Sequence, residues 1–228
     1  MARRPPPSGA SPRTSAIVVA AGRGERFGAP KQFLVAAGAR LVDHAVTAAG
    51  AACDEVVVVL PPDREWDGAE VAAVVAGGAT RSASVRAGLA AIDARSEIVV
   101  VHDAARALAT PELFELVIDA VRAGADAAVP AVPVADTIKR VSGDRVVETV
   151  DRAGLVAVQT PQAFRVDSLR AAHSGDDDAT DDAALVEECG GTVVVVAGDP
   201  RNVKATTVAD LAVIEALLVP PVDREVLR

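Results

Sequence analysis

The stretch AIVVAAGRGERFGAPKQF, residues 16–33, joins a short apolar run to a loop rich in glycine and positive charge. The β-branched run AIVVA is typical of a buried strand. The glycines that follow, Gly22 and Gly24, carry no Cβ, so backbone N–H groups in such a loop can approach a phosphate or a base closely. The spacing GRGERFG fits neither the dinucleotide-binding fingerprint nor the P-loop, and by itself it indicates a nucleotide site only weakly.

Three cations lie in or just after this loop: Arg23, Arg26 and Lys31. Fixed positive charge around a triphosphate stabilises the charge that develops on its oxygens during group transfer. The alternative is a solvated loop whose cations bind nothing. Lys31 is the most specific of the three because the preceding Pro30 stiffens the chain next to it. The loop and its cations together predict a site for a phosphorylated ligand.

Beyond this stretch, β-branched runs alternate with alanine-rich helical segments. This order predicts right-handed βαβ units, and therefore an α/β domain with a mainly parallel sheet that binds ligands at the carboxyl ends of its strands. The chain has 228 residues, half of them hydrophobic, and we expect a single domain over residues 15–228. The segments are AIVVA, LVDHAVTAAGAA, EVVVVLP, SASVRAGLAAI, EIVVVHDA, PELFELVIDAVRAG and AAVPAVPV, then a helix near residues 181–189, the strand TVVVVAG and the helix VADLAVIEALL.

Residues 136–160 break this alternation. They contain two polar, alternating segments around the turn signal Ser142-Gly143-Asp144, which predict a β-hairpin. A hairpin that projects from a domain is marginally stable alone and needs another surface to pack on. We therefore expect a β-arm through which two copies of the chain form a homodimer.

Composition argues against several classes of protein. The 23 lysines and arginines are outnumbered by 32 aspartates and glutamates, and the net charge is −9, so we expect no nucleic-acid partner. No apolar run is long enough to span a bilayer. The proline, serine and arginine content of residues 1–14 predicts a disordered tail rather than a signal peptide. We expect a cytoplasmic protein without membrane contact. Cys53 and Cys189 lack metal-ligand spacing, so we expect neither a disulfide nor zinc.

A second glycine turn, GGATRSAS at residues 77–84, leads into a predicted helix. The free N–H groups at a helix N-terminus favour an anion or a polar base edge, and Ser82 or Ser84 would serve as cap or ligand. A plain capped helix explains this turn equally well.

Charged residues follow two further strands. Asp103 stands at the end of EIVVVHD, where one carboxylate can help to hold Mg²⁺ beside phosphate oxygens, and Arg106 would then face a second anion. The alternative is a structural Asp103–Arg106 ion pair. Lys204, after TVVVVAG, should point to the same end of the sheet as Lys31. His102 is expected to be structural. This convergence predicts a phosphoryl or nucleotidyl transfer site.

In combination and in this order, the motifs resemble those of the 2-C-methyl-D-erythritol 4-phosphate cytidylyltransferases of the non-mevalonate isoprenoid pathway. The resemblance implies a Rossmann-like nucleotidyltransferase domain, a β-arm that interlocks a homodimer, and Mg²⁺-dependent conversion of CTP and methylerythritol phosphate to CDP-methylerythritol and pyrophosphate. The matching segments are AAGRGERFGAPKQF, GGATRSASVRAGL, VHDAARAL, PVADTIKR, VDRAGLVAVQTPQAF, TDDAALVE and NVKATT.

The resemblance also implies roles for individual residues. CTP would be bound by Ala20, Ala21, Gly22, Gly24, Gly77, Gly78 and Ser84. The catalytic cations would be Arg26, Lys31 and Lys204, and the magnesium-side carboxylate would be Asp103. Methylerythritol phosphate would be bound by Arg106, Thr137 and Arg152, of which the last two lie on the arm and would reach the partner's site. Thr160 and Thr180 match motif threonines without an assigned role.

The chain departs from the family pattern at Val19, Ala79 and Ala107, of which the first and last replace a common proline. Ala79 stands where many members have an acidic residue, so this turn indicates cytosine less clearly. Two alternatives remain open: a ribitol- or other polyol-phosphate cytidylyltransferase on the same fold, and a non-catalytic nucleotide-binding protein. The second is disfavoured because no reacting-end cation or carboxylate is missing from the motifs.

Overall fold

The computed structural model describes residues 12–22, 24, 30–175, 179 and 181–219. The predicted site residue Arg26, together with Arg23, Thr180 and residues 1–11 of the expected tail, lies outside this part of the chain. Thr14, which the expected tail included, is the first residue of a strand, and its backbone N–H donates to Asp54 Oδ2 at 2.7 Å. The strand therefore includes the last residue of the expected tail.

Strands and helices alternate along the described chain. The strands are β1 (Thr14–Val19), β2 (Val35–Ala36), β3 (Ala39–Arg40), β4 (Glu55–Leu60), β5 (Ala73–Ala76), β6 (Ile98–Asp103), β7 (Ala127–Pro133), β8 (Ile138–Ser142), β9 (Arg145–Val150), β10 (Val156–Val158), β11 (Gln162–Arg165) and β12 (Val193–Ala197). The helices are α1 (Leu41–Ala52), α2 (Arg81–Ala91), α3 (Pro111–Arg122), α4 (Val166–Ala172), α5 (Asp182–Glu188) and α6 (Val208–Leu218), with a 3₁₀ turn at Lys31–Phe33.

The central sheet has eight strands in the order β10-β7-β11-β6-β1-β4-β5, and β12 pairs with β7 as well. Neighbours among β6, β1, β4 and β5 run parallel, as do β7 and β12. β11 is antiparallel to β6 and β7, and β10 is antiparallel to β7. The predicted α/β class with a mainly parallel sheet is confirmed. The alternation of β-branched and helical segments did not predict the antiparallel strands β10 and β11.

Helices cover both faces of the sheet, so successive strand residues alternate between two apolar layers. Val18 of β1 packs in the layer that contains α1 and α3, whereas Ile17 packs in the layer that contains α2, α4 and α5. Gly88 lets α2 approach β1 closely, because a Cβ there would lie 2.5 Å from Ile17 Cγ2. Ile214 of α6 belongs to a third, smaller cluster. The described helices include none long and apolar enough to cross a membrane.

The predicted hairpin is present but shorter than expected. β8 and β9 form a separate antiparallel pair around Gly143, which has a positive φ of 60°. Both strands are exposed along almost their whole length. β10, which we expected within the arm, instead joins the central sheet beside β7. The arm therefore ends near Val150, and its role in dimerisation stays a prediction.

Candidate active site

A cavity of about 510 Å³ opens at the carboxyl ends of β1 and β6. β1 lies between β6 and β4, and β4 is the next strand of the central sheet along the chain. The cavity is therefore at the point where the strand order reverses. Crevices at such points are where open α/β sheets bind ligands. The lining consists of Val19, Ala20, Ala21, Gly22, Gly24, Lys31, Gln32, Gly78, Ala79, Thr80, Arg81, Ser84, Asp103, Ala105 and Lys204.

Gln32 anchors the first glycine loop. Its buried side-chain amide donates to the carbonyls of Ala20, at 2.6 Å, and Gly22, at 2.8 Å. These two bonds fasten the loop to the 3₁₀ turn, whose first residue, Lys31, lines the cavity. Sequence reasoning did not assign Gln32 a role, and its only signal was its place next to Lys31.

The second glycine turn packs directly against the first loop. A Cβ on Gly77 would lie 2.2 Å from Ala21 Cβ, so glycine is required for the two loops to meet. Gly77 itself is not part of the cavity lining, whereas Gly78 is. Of the two roles expected for Ser82 or Ser84, cap or ligand, the cap belongs to another residue: Thr80 is the N-cap of α2, and its side chain accepts the Ala83 N–H.

Ser84 nevertheless lines the cavity, as a ligand role would require. Its hydroxyl donates to the carbonyl of Thr80 at 2.9 Å. Ser82 is turned away from the cavity lining and accepts the backbone N–H of Ala179 at 3.3 Å.

Asp103 is the centre of a charged cluster in the cavity. Its Oδ2 accepts from Lys204 Nζ at 2.5 Å, and its Oδ1 accepts from Arg81 Nε at 3.3 Å. Burial by itself would raise the pKa of Asp103, but the charges of Arg81 and Lys204 outweigh it and hold that pKa well below its usual range. The carboxylate is therefore ionised at neutral pH.

Arg81 is a second cavity residue to which the sequence motifs assigned no role. It is the first residue of α2 and bridges two carboxylates, because its Nη1 also donates to Asp182 Oδ2 at 2.7 Å. Burial disfavours the charged form of Arg81, but Asp103 and Asp182 outweigh this and raise its pKa. The alternative, a structural Asp103–Arg106 ion pair, is absent, and the two oxygens of Asp103 pair with Arg81 and Lys204 instead.

His102 has a structural place, as expected. Thr160 Oγ1 accepts the backbone N–H of Asp103 at 3.0 Å and contacts His102 Nδ1 at 3.1 Å. Burial lowers the pKa of His102 to about 4, so that the ring is neutral near pH 7. The histidine and the threonine together hold the end of β6, which carries Asp103.

The three predicted methylerythritol phosphate ligands lie outside the cavity lining of this chain. Arg106 Nη1 donates to the Asn202 carbonyl at 2.7 Å, and burial lowers the pKa of Arg106. Thr137 is exposed at the base of the arm, and Arg152 donates to the Ala135 carbonyl. Their role in binding the acceptor stays a prediction.

Comparison with known proteins identifies the family. The family model described as 2-C-methyl-D-erythritol 4-phosphate cytidylyltransferase matches residues 14–219. The chain belongs to this family. Proteins named 2-C-methyl-D-erythritol 4-phosphate cytidylyltransferase in Nocardia farcinica and Streptomyces avermitilis are 48% and 45% identical to it, over 89% and 94% of this chain and 93% and 94% of theirs.

Solved cytidylyltransferases share the fold as well. The crystal structure of 2-C-methyl-D-erythritol 4-phosphate cytidylyltransferase from Thermus thermophilus superimposes with a TM-score of 0.79 at 35% identity, covering 89% of this chain and 97% of that one. A protein of Rhodopseudomonas palustris named bifunctional enzyme IspD/IspF is 49% identical, and the match covers 55% of its length. The family expected from the sequence motifs is therefore confirmed.

Proposed function

We propose that this protein transfers the cytidylyl group of CTP to 2-C-methyl-D-erythritol 4-phosphate, producing 4-CDP-2-C-methyl-D-erythritol and pyrophosphate. The observation that carries the proposal is the convergence of Lys31, Arg81, Lys204 and the carboxylate of Asp103 on one cavity, in a chain of this family. Among the lining residues that the structure describes, there are three cations and one carboxylate, a balance that favours a ligand with several negative charges.

The chemistry needs no protein base. The phosphate of the acceptor is already anionic near neutral pH, and its oxygen attacks the α-phosphorus of CTP as the bond to pyrophosphate breaks. Lys31 and Lys204 stabilise the negative charge that grows on the phosphate oxygens, and Arg26 is proposed to assist them. The cavity walls formed by residues 20–22 and 78–84 are proposed to hold the cytosine and the ribose.

Magnesium fits this lining. The described residues contain no group of three or more histidines, cysteines, aspartates or glutamates that could hold a metal ion. Mg²⁺ bound to nucleotides needs only one or two carboxylates, because phosphate oxygens and water complete its shell. The ionised carboxylate of Asp103 suits this purpose. When bound, the metal neutralises phosphate charge and orients the triphosphate.

We also propose that the enzyme acts in the cytoplasm as a homodimer, with the β8–β9 arm reaching the neighbouring subunit. The exposure of the arm supports this proposal, because Val141, Val146 and Val147 each keep more than half of their surface accessible in the single chain. Thr137 and Arg152, which flank the arm on either side, would then complete the acceptor site of the partner, together with Arg106 of that subunit.

The test is pyrophosphate release from purified protein with magnesium and CTP. Methylerythritol phosphate, ribitol phosphate and no acceptor are compared side by side. Release with methylerythritol phosphate alone is expected. Faster release with ribitol phosphate would reassign the acceptor but keep the cytidylyl transfer. If no pyrophosphate is released with either acceptor, the proposed activity is contradicted.

A further inference from the structure

A line of paired side chains connects the active-site cavity to a buried histidine behind it. Asp182 Oδ2 accepts from Arg81 Nη1 at 2.7 Å, and Asp182 Oδ1 lies 2.9 Å from His173 Nε2. Arg81 in turn contacts Asp103 in the cavity. Neither Asp182 nor His173 lines the cavity, and Arg81 is the lining residue to which this line of side chains connects them.

Burial makes this arrangement specific. The side chain of Asp182 is fully buried and that of His173 is 2% exposed, whereas Arg81 keeps 22% of its side-chain surface open. A buried carboxylate is costly unless both of its oxygens are hydrogen-bonded. One oxygen of Asp182 accepts a hydrogen bond from Arg81, and the other accepts one from His173 Nε2. The bond from His173 fixes the direction in which the carboxylate faces Arg81.

The arginine is suited to this role because its nitrogens form a planar fork. Nη1 is directed at Asp182 while Nε is directed at Asp103, so one rigid group spans two carboxylates that come from separate parts of the chain. Loss of the Asp182 contact would leave Arg81 free to rotate at the cavity wall. Asp103 would then keep Lys204 but lose the partner on its other oxygen.

We propose that His173 and Asp182 are positioning residues for cytidylyl transfer, which hold Arg81 across the nucleotide side of the cavity and thereby orient Asp103. The inference rests on the proposed function. His173 acts through Asp182, and neither touches a substrate. Because Arg81 adjoins the glycine turn and not Arg106, Thr137 or Arg152, the effect should fall on CTP rather than on the acceptor.

The first experiment compares wild type with His173→Leu and His173→Gln. Leucine removes the donor, whereas the glutamine amide can place an N–H near the position of Nε2. His44→Leu is the matched control, because His44 also makes one hydrogen bond, to the Ala36 carbonyl at 2.9 Å, outside the cavity. Steady-state kinetics are measured below the thermal transition of the least stable variant.

We expect His173→Leu to lower kcat at least tenfold and to raise KM for CTP, with KM for methylerythritol phosphate within twofold of wild type. His173→Gln should recover most of the loss, and His44→Leu should stay within twofold of wild type. A folded His173→Leu enzyme with wild-type kinetics, or a glutamine variant as impaired as the leucine variant, would overturn the proposal.

A second comparison covers the case in which His173→Leu fails to fold. Asp182→Asn alone should lower kcat at least tenfold and raise KM for CTP, because Arg81 loses its charged partner, and a folded Asp182→Asn enzyme with wild-type kinetics would overturn the proposal. Where His173→Leu does fold, adding it to Asp182→Asn should lower kcat by less than a further twofold, because the histidine acts through the aspartate. If the two substitutions lower kcat by independent factors that multiply in the double variant, the linkage between His173 and Asp182 is refuted.

CTP binding measured calorimetrically without acceptor separates this inference from the proposed function. Weaker CTP binding by His173→Leu, but not by His44→Leu, supports the positioning role even if wild type uses neither acceptor. Equal CTP affinity in wild type and His173→Leu would overturn it.

Discussion

Lys204 Nζ lies 2.5 Å from Asp103 Oδ2, although 101 positions separate the two residues along the chain. Asp103 ends β6, and Lys204 lies in the loop between β12 and α6. The contact closes one side of the cavity and, with Arg81 on the other oxygen, keeps a charged carboxylate among cations. Asp103 is therefore the group that Lys204 and Arg81 share.

Replacing Asp103 with asparagine should lower kcat by roughly 100-fold, because it removes the charge that orients Lys204 and Arg81 and that would assist magnesium. Steady-state assays of pyrophosphate release measure the effect. Asp119→Asn is the control, since Asp119 is exposed on α3 and pairs with Arg122 at 3.1 Å, outside the cavity lining; it should change kcat by no more than about twofold. Similar losses in both variants would contradict the central role of Asp103.

Lys31→Ala should lower kcat by roughly 100-fold while raising KM for CTP by only about threefold. The reason is that the interaction of this cation strengthens as charge moves onto the departing phosphates. Separate titrations of CTP at saturating acceptor provide the two constants. An unchanged kcat with a large rise in KM for CTP would show that Lys31 only binds the ground state.

Gly77→Ala should destabilise the fold by about 1–3 kcal/mol and weaken CTP binding, because the new Cβ would clash with Ala21 and push the two loops apart. Gly50→Ala provides the matched control. A Cβ at Gly50, within α1, meets only Val56 Cγ2 at 3.8 Å, so alanine there should stabilise the protein by about 0.5–1 kcal/mol. Thermal unfolding and CTP calorimetry distinguish the two variants. A Gly77→Ala protein with wild-type stability and wild-type CTP affinity would refute the packing argument.

The two cysteines should differ in reactivity. Both are free thiols, Cys189 exposed and Cys53 partly buried. Burial raises the pKa of Cys53 to about 12, so at pH 8 almost none of it is the reactive thiolate. Iodoacetamide at pH 8 should modify one thiol per native chain, at Cys189, and both in urea. Mass spectrometry that finds Cys53 modified in the folded protein would contradict this expectation.

Mixed dimers test the arm. If Arg152 serves the neighbouring subunit, mixing inactive Arg152→Ala and Lys31→Ala chains should restore about a quarter of wild-type activity, because half of the dimers would carry one intact site of two. Exchange of subunits is verified with two affinity tags. Recovery of no activity after verified exchange would place Arg152 in the site of its own chain.

Much of this architecture follows from local pattern. The segment LVDHAVTAAGAA coincides with α1, and the valine-rich runs at β1, β4, β6 and β12 are strands. Asp103 was predicted at the carboxyl end of its strand, and it lies there in the cavity. These features are readable because apolar periodicity and glycine act within a few residues of the chain.

The pairing of distant side chains was decided only by the tertiary structure. Arg81 stood in a motif without an assigned role, and its partners are 22 and 101 positions away in the sequence. The sequence also did not reveal that Gly77, which was expected to bind CTP, packs against Ala21 of the first glycine loop. The sequence by itself determined the strands, the glycine turns and the charged strand ends, because these depend on local periodicity and backbone freedom. Which cation meets which carboxylate depended on the order of strands in the sheet, and that order is set by packing between elements far apart in the chain.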